Sequence, residues 1–503
     1  MKKKMAAFLG ALVLVLCCIA PALAADGYKY SYTYTYDYWE DFRESPDAYR
    51  VKQMISTADF ADIGGMKNPQ GLFVRGRDVY IVDSGNNRIL QIRLKEEGGY
   101  ERVRVIDSFT GDTTPLTFNS PRDIYVMEDG TMFVADFNNK RVVRLDKDLN
   151  WELSFVKPND NNFDQGADFL PKKLVADVVG RVYVLSQNVN KGIVKFEADG
   201  QFNGFIGASK VRVNLYEQMW KMIATKEQRA RMNSFVPTEY DNIALDQDGF
   251  FYVVTKTFQE NDLRTGNADP VRRLNAIGNN ILVQNGASWV IGDLEWAAGN
   301  TNLTNRGPSK FQDITVLQDD IYMVLDSTHN RIFGYDQQGN MLWAFGGVGN
   351  ADGFFNRPVA IEHMGTDLLI LDEGGAYGGS LTVMTTTEYG RMVYEAIHQY
   401  RTGAYEESAK TWTEVLSRNG NYDSAYIGIG RALLQQEKYA EAMGYFKAAM
   451  DDRNYSEAWR LRRMELVEQN IVPIFIVVAA ILALPPLWRR IRKIKWEVKM
   501  FHE

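Results

Sequence analysis

Cysteine is almost missing from this chain. Two occur in 503 residues, Cys17 and Cys18, and both lie in an apolar N-terminal stretch. That stretch, Met1 to Ala25, has Lys2-Lys3-Lys4, an apolar run and then Ala22-Leu23-Ala24. This is the layout of a secretory signal peptide with a small-residue cleavage site; the alternative is an uncleaved anchor, for which the run is short. With the segment removed the chain holds no cysteine, which excludes disulfides, thiolate nucleophiles and thiolate metal sites. Histidine is nearly as scarce: His329, His363, His398 and His502 are the four. They scatter over a turn, a strand, a helical region and the tail, which argues against a histidine-built metal centre. No Ser-His-Asp arrangement can be assembled from them. Excess positive charge is absent too. The formal net charge is −7, and basic residues gather at the C-terminal end, which argues against nucleic acid as a partner.

What the chain does have is a repeat. Asn68 to Leu94, NPQGLFVRGRDVYIVDSGNNRILQIRL, reads as three short strands joined by tight turns. The pattern returns at Ser120 to Asp146 and again at Gly307 to Asp336. Each copy opens near a Pro, runs through an apolar strand and a turn, reaches a second apolar run ending in Asp, and turns into a strand opening with Arg. The corner is Asp83-x-x-Asn86-x-Arg88, Asp136-x-x-Asn139-x-Arg141 and, with His for Asn, Asp326-x-x-His329-x-Arg331. Pro marks at 69, 121, 171, 237, 308 and 358 give six units. Six units of four strands predict a six-bladed β-propeller. The sixth unit lacks a fourth strand, and Val51 to Thr57 is expected to complete it and close the ring.

These residues resemble the NHL repeat family over about two thirds of the chain. Unit three departs from the pattern with Ser186-Gln187 where Asp is expected, and unit four carries a long insertion. The resemblance implies a mainly β propeller over residues 51–387.

Between residues 26 and 50 lies a Tyr-rich arm with Tyr at every second position from Tyr28 to Tyr38. Period-two alternation predicts an extended strand, either laid along the propeller or serving as an aromatic strip for a sugar or a partner. Residues 209–235 interrupt the propeller with a helical insertion, whose Trp220 and Arg229 are candidate partner contacts; it reads as an interaction surface or a lid. Residues 388–470 read as helices. Tyr426, Gly430, Leu433, Ala442, Phe446 and Ala449 resemble a tetratricopeptide repeat, with a fainter copy 34 residues earlier. Such repeats act as a spacer or as a peptide groove. Residues 471–488, IVPIFIVVAAILALPPLW, carry no charge, and as a helix they are just long enough for a bilayer core. Pro485-Pro486 is expected to end the span. The basic tail, 489–503, places that end in the cytoplasm by the positive-inside rule and the propeller outside.

Candidate site residues follow from the repeat. The Asp/Arg corners, Asp83 with Arg88, Asp136 with Arg141 and Asp326 with Arg331, read as structural ties through charge-assisted hydrogen bonds. Residues just after each Pro are expected to line the channel mouth: Gln70, Arg122, Lys172, Lys173, Glu239, Lys310 and Gln312. Their mix suits a polar ligand or a partner loop; otherwise they form a solvated rim. Asp160, Asn162 and Asp164 suggest a calcium loop, though Gly falls one place late and no Glu closes it. No other cofactor is indicated. The layout is similar to accessory proteins of Firmicutes envelopes that accompany ABC-type sugar importers. That resemblance implies a non-catalytic, membrane-anchored binding or scaffold protein with transporter subunits as partners. The alternatives are a metal-dependent lyase- or lactonase-like propeller enzyme, and a binder of cell-wall polysaccharide.

Overall fold

The computed structural model describes residues 33–39, 41–207, 239–256, 258, 262–263, 268–286, 289–293, 307–374 and 378–500. Residues 1–32, with the expected signal peptide and Tyr28 to Tyr32, and the expected insertion with Trp220 and Arg229 lie outside them.

Twenty-five described strands form six antiparallel sheets. An N-terminal hairpin, β1 (Tyr34–Tyr36) and β2 (Phe42–Glu44), precedes β3 (Tyr49–Ser56). Blade one is β4 (Gly71–Arg75), β5 (Asp78–Asp83), β6 (Arg88–Leu94) and β7 (Tyr100–Ile106). Blade two is β8 (Pro121–Val126), β9 (Met132–Asp136), β10 (Arg141–Leu145) and β11 (Trp151–Val156). Blade three is β12 (Leu170–Ala176), β13 (Val182–Gln187), β14 (Ile193–Phe196) and β15 (Phe202–Ile206). Blade four shows β16 (Asn242–Leu245), β17 (Phe251–Val254) and β18 (Val271–Leu274). Blade five is β19 (Phe311–Val316), β20 (Tyr322–Asp326), β21 (Arg331–Tyr335) and β22 (Met341–Gly346), and the hairpin extends it to six strands, with Tyr34 opposite Ala344. Blade six is β23 (Pro358–Met364), β24 (Asp367–Asp372) and β25 (Ser380–Thr386), and β3 is its outer strand, running from Ser56 opposite Ser380 to Tyr49 opposite Thr386. The last blade is therefore built from both ends of the propeller sequence, which closes the ring.

The middle strands are apolar throughout, as in Val79-Tyr80-Ile81-Val82, because both of their faces are covered. Val79 and Ile81 pack with Leu369 and Leu371 of blade six. Their neighbours Tyr80 and Val82 pack with Ile124 and Val134 of blade two. The same alternation joins blades two and three, three and four, and four and five. The core is thus a series of blade-to-blade seams. The first strand of each blade contacts its counterparts next door and lines the channel.

The Asp corners lock the turns. Asp83 and Asp136 are fully buried. One oxygen of each accepts the backbone N–H of Lys67 or Asn119, at 2.7 and 2.8 Å. The other accepts from the Asn three residues on and from the Arg five residues on, with Arg Nε at 2.7 Å for Asp83 and 2.9 Å for Asp136. The guanidiniums then cap carbonyls of the segment entering the blade: Ile63 and Gly65 for Arg88, Pro115 for Arg141. Blade five corrects the expected third pair. His329 Nδ1 donates to Asp326 at 2.8 Å and Ser309 Oγ donates to the same oxygen at 3.0 Å. With that oxygen occupied, Arg331 turns to Asp293 instead.

The C-terminal region is helical: α1 (Glu388–Arg401), α2 (Tyr405–Arg418), α3 (Asp423–Gln435), α4 (Tyr439–Ala448), α5 (Asp452–Gln469) and α6 (Ile471–Met500). From α1 to α5, successive helices contact one another. Small residues permit the approach. A Cβ on Gly428 would lie 2.5 Å from the Trp412 ring, and one on Gly430 would lie 2.6 Å from Phe446. In α6 an 18-residue window reaches a mean hydropathy of 2.5, and none of it is buried. The helix is long and apolar enough to cross a membrane. It does not end at Pro485-Pro486 as expected but runs through them to Met500. Proline's fixed φ lies in the helical range, so the chain can continue at the loss of two N–H donors.

Replacing Arg88 with Met should destabilise the propeller by about 3–5 kcal/mol, because it strands a buried carboxylate. Adding Asp83→Asn should recover part of that loss. Thermal unfolding of the three proteins checks this; equal midpoints for wild type and Arg88→Met would contradict it.

Candidate functional site: the propeller channel

Inner strands have one edge with no strand partner, so their N–H and C=O groups need other partners. Side chains one blade away supply them. Asp123 on β8 accepts the N–H of Leu174 on β12 at 2.9 Å. Asp313 on β19 accepts the N–H of Ile361 on β23 at 2.8 Å, as well as that of its own neighbour Ile314. Asn242 on β16 donates its amide to Asp313. Arg75 on β4 donates through Nε to the carbonyl of Val126 at 2.9 Å. The equivalent position in blade one is Gly71, where a Cβ would lie 2.6 Å from the carbonyl of Arg122. These contacts form a belt around the channel.

Lys173 stands in the belt with Nζ 3.5 Å from Asp123. Burial disfavours its charge, but the carboxylates of Asp123, Asp313 and Glu362 outweigh burial and hold its pKa above the ordinary value. Burial raises Asp123 despite Lys173, and raises Asp313 to about 6. Beyond the belt, Thr315 Oγ1 lies 3.1 Å from Glu362 Oε2 and 2.7 Å from His363 Nδ1. Glu362 keeps 24% of its side-chain surface and lines the channel cavity. Burial and the neighbouring Asp313 charge push it up to about 8. Burial alone lowers His363 to about 4. Near neutral pH both groups are uncharged. A cavity of about 360 Å³ opens here, and all six inner strands line it.

The expected mouth residues divide. Gln70, Arg122, Lys172 and Gln312 each sit one residue before the belt. Arg122 lies 3.5 Å from the Gln70 amide oxygen and 4.5 Å from the Phe137 ring centroid. Lys172 is 3.8 Å from Asp241, and Gln312 accepts from Lys256 Nζ at 3.0 Å. Lys173 belongs to the belt itself. Glu239 and Lys310 are corrected: in blades four and five the Pro stands three residues further upstream, so both fall two residues short. Asp241 takes the ring position in blade four. Lys310 is exposed, and its N–H caps Asp326 at 2.8 Å. Asp123, Asn242, Asp313, Thr315 and Glu362 were missed. Asp123 follows Arg122 directly, so an alternating reading of the inner strand from Gln70 and Arg122 onward would have found the belt.

Residues 160–164, the expected calcium loop, form a turn. Asp160 and Asp164 accept N–H groups of their own loop, from Asn162 at 2.7 Å and Gly166 at 2.9 Å. Among the described residues one acidic triple brings its oxygens together, Asp246, Asp248 and Asp320. Arg273 already contacts all three carboxylates.

Because Glu362 binds a proton more tightly when folded, its contribution is full below its ordinary 4.5 and is lost as pH rises toward about 8. His363, with its pKa lowered from 6.5 to about 4, acts oppositely: its contribution is full above 6.5 and is lost as pH falls below that. Between 4.5 and 6.5 these two trends oppose one another, and from 6.5 toward 8 Glu362 is joined by His329, whose pKa, despite the opposing effect of burial, its hydrogen bond to Asp326 raises above 6.5, so both lower stability as pH rises. Stability should fall by about 2 kcal/mol across that window. Glu362→Gln should flatten the slope; denaturation curves with equal slopes for both proteins would refute the assignment.

No family model matches the chain. A segment of 165 residues is 27% identical to NHL repeat-containing protein 3 of Mus musculus, covering 31% of this chain and 44% of that protein. The chain thus spans less than half the length of that relative. Among solved structures, the catalytically inactive virginiamycin B lyase of Staphylococcus aureus with quinupristin is 15% identical, with a TM-score of 0.38 over 66% of this chain and 87% of that one. A streptogramin B lyase is 13% identical, with a TM-score of 0.36 over 71% of this chain and 87% of that one. Likeness at that level says nothing of activity or ligand. The six-bladed architecture and the mouse relative together support a propeller of the NHL-repeat type.

Proposed function

We propose that this chain is a membrane-anchored, non-catalytic binding or scaffold protein whose propeller faces the outside of the cell. The observation that supports the reading is the use made of two of the channel's three acids. Asp123 and Asp313 are spent on N–H groups of the next blade, so they hold the ring together and are not free for acid–base work. α6 supplies the anchor, and Arg489, Arg490, Arg492 and Lys493 beyond its apolar part suit a cytoplasmic end. The sequentially packed helices α1 to α5 act as a tetratricopeptide-like spacer between anchor and propeller. Partners are proteins of the same membrane, with subunits of an ABC-type sugar importer as the candidates that the resemblance of layout implies.

Native co-purification on a tag placed after Glu503 tests this. Transporter permeases or a solute-binding protein are expected in stoichiometric amounts. A solitary protein that turns over a carbohydrate or lactone in a metal-dependent way would overturn the reading and favour the enzyme alternative.

A further inference from the structure

The channel cavity has two unlike walls above a polar floor. Blades one and two contribute Phe73 and Tyr125, with ring centroids 4.9 Å apart, and Arg75 packs on both rings at 5.4 and 5.9 Å. Blades five and six contribute Thr315, Glu362 and His363. Blade two stands across the ring from blade five, which sets Tyr125 opposite Thr315, whereas blade six adjoins blade one through β23 and β4, so Glu362 and His363 stand on the blade next to that of Phe73 and the aromatic and hydrogen-bonding walls meet there. The volume, about 360 Å³, is in the range of small-molecule sites.

The floor decides the charge of the occupant. Asp123 is balanced by Lys173. Asp313 is satisfied by two backbone N–H groups and the Asn242 amide. A cationic ligand would surrender its hydration without meeting a free carboxylate, which is costly, whereas the Arg75 guanidinium, bonded to the Val126 carbonyl and stacked on both rings, is the cation an anionic ligand would meet. The remaining hydrogen-bonding capacity is of another kind. Glu362 spends Oε2 on Thr315 and on the N–H of His363, and His363 spends Nδ1 on Thr315. Among the described residues nothing bonds Glu362 Oε1 or His363 Nε2, and the Lys173 ammonium pairs with Asp123. Through the shared Thr315 hydroxyl, the proton position on Glu362 sets which His363 nitrogen donates, so the pair can offer either role. Hydroxyl groups, each both donor and acceptor, match such a wall. A flat apolar ring face matches the other.

We propose that the cavity binds a neutral saccharide of one or two rings, with its apolar face on Phe73 and Tyr125 and its hydroxyls on Glu362, His363 and Lys173. This rests on the non-catalytic binding reading above and names the ligand class for it.

Isothermal titration of the detergent-solubilised full chain tests it with glucose, maltose, cellobiose and lactose as neutral probes, and glucosamine and glucuronate as charged ones. At least one neutral sugar should bind, and the cationic glucosamine should bind at least about tenfold more weakly. Phe73→Ala and Glu362→Ala should each weaken binding about tenfold or more, whereas Glu362→Gln, which keeps a neutral donor and acceptor, should retain it. Where Phe73→Ala fails to fold, Phe73→Leu keeps an apolar side chain without the ring and serves instead. Three outcomes overturn the proposal: no neutral probe binding up to about 10 mM, tenfold beyond the millimolar end of specific affinity; tighter binding of a charged probe; or binding indifferent to Phe73 and Glu362. Failure here would leave co-purified partners, and so the scaffold reading, intact. Cleavage of the bound sugar, read by mass, would sink the non-catalytic reading and leave the site standing.

Discussion

The structure depends on how the exposed edge of each inner strand is satisfied. A propeller blade ends on the channel side in a strand whose outward N–H and C=O groups have no neighbouring strand. Left bare and shielded from bulk water, each group would cost a few kcal/mol. Here Asp123, Asn242, Asp313 and Arg75 meet those groups or each other across the blade boundary. Where no side chain is used, at Gly71, the backbones close up instead. The belt therefore does two things at once. It fixes the radial spacing of the blades, and it takes up oxygens of Asp123 and Asp313 that would otherwise face a ligand. What is left facing the cavity, Glu362, His363, Thr315 and Lys173, is what remains for a ligand.

The repeat was legible because its determinants are local. Proline at the strand entry, Asp at the end of the second strand and Arg at the start of the third lie within one unit, and a single unit already displays them. Closure was legible for the same reason: a strand-like segment stood ahead of the first unit while the last unit was one strand short. The channel was harder. Its chemistry lies in contacts between residues about 50 or more positions apart, such as Asp123 with Leu174 or Asp313 with Ile361, and no spacing rule within a blade exposes them. The Pro mark also misled in blades four and five. There the chain enters the inner strand three residues later, which put Glu239 and Lys310 in place of Asp241 and a bare continuation to Gln312.

The helical region shows the opposite balance. Gly430 and Ala442 were readable as the small residues, and Phe446 and Trp412 as the large ones, of paired helices because of their repeat spacing, while the approach of Gly428 to Trp412 was not. The Pro485-Pro486 end was not. A proline pair stops a helix when solvent can take over the freed carbonyls, but the torsions themselves are helical, so the sequence alone could not decide between a stop and a helix with two missing bonds.

The blade-five corner explains the N-terminal arm. Among the described residues β1 meets β22 at one registered pair, Tyr34 with Ala344, too little ladder to hold a strand. Side chains hold it instead. The hydroxyls of Tyr34 and Tyr36 donate to Asp293 at 2.8 and 2.7 Å, and Arg331 both pairs with Asp293 and packs 5.3 Å from the Tyr34 ring centroid. Arg331 is available for this because His329 stands where the other corners have Asn and, with Ser309, takes the Asp326 oxygen that the Arg would have used. The blade-five departure from the corner pattern and the aromatic arm are thus one feature: a His in the repeat releases an Arg, the Arg fixes a buried Asp, and the Asp gathers the tyrosines. The even spacing of Tyr34 and Tyr36 is what lets both hydroxyls reach the same carboxylate, since only alternate residues share a face of the strand.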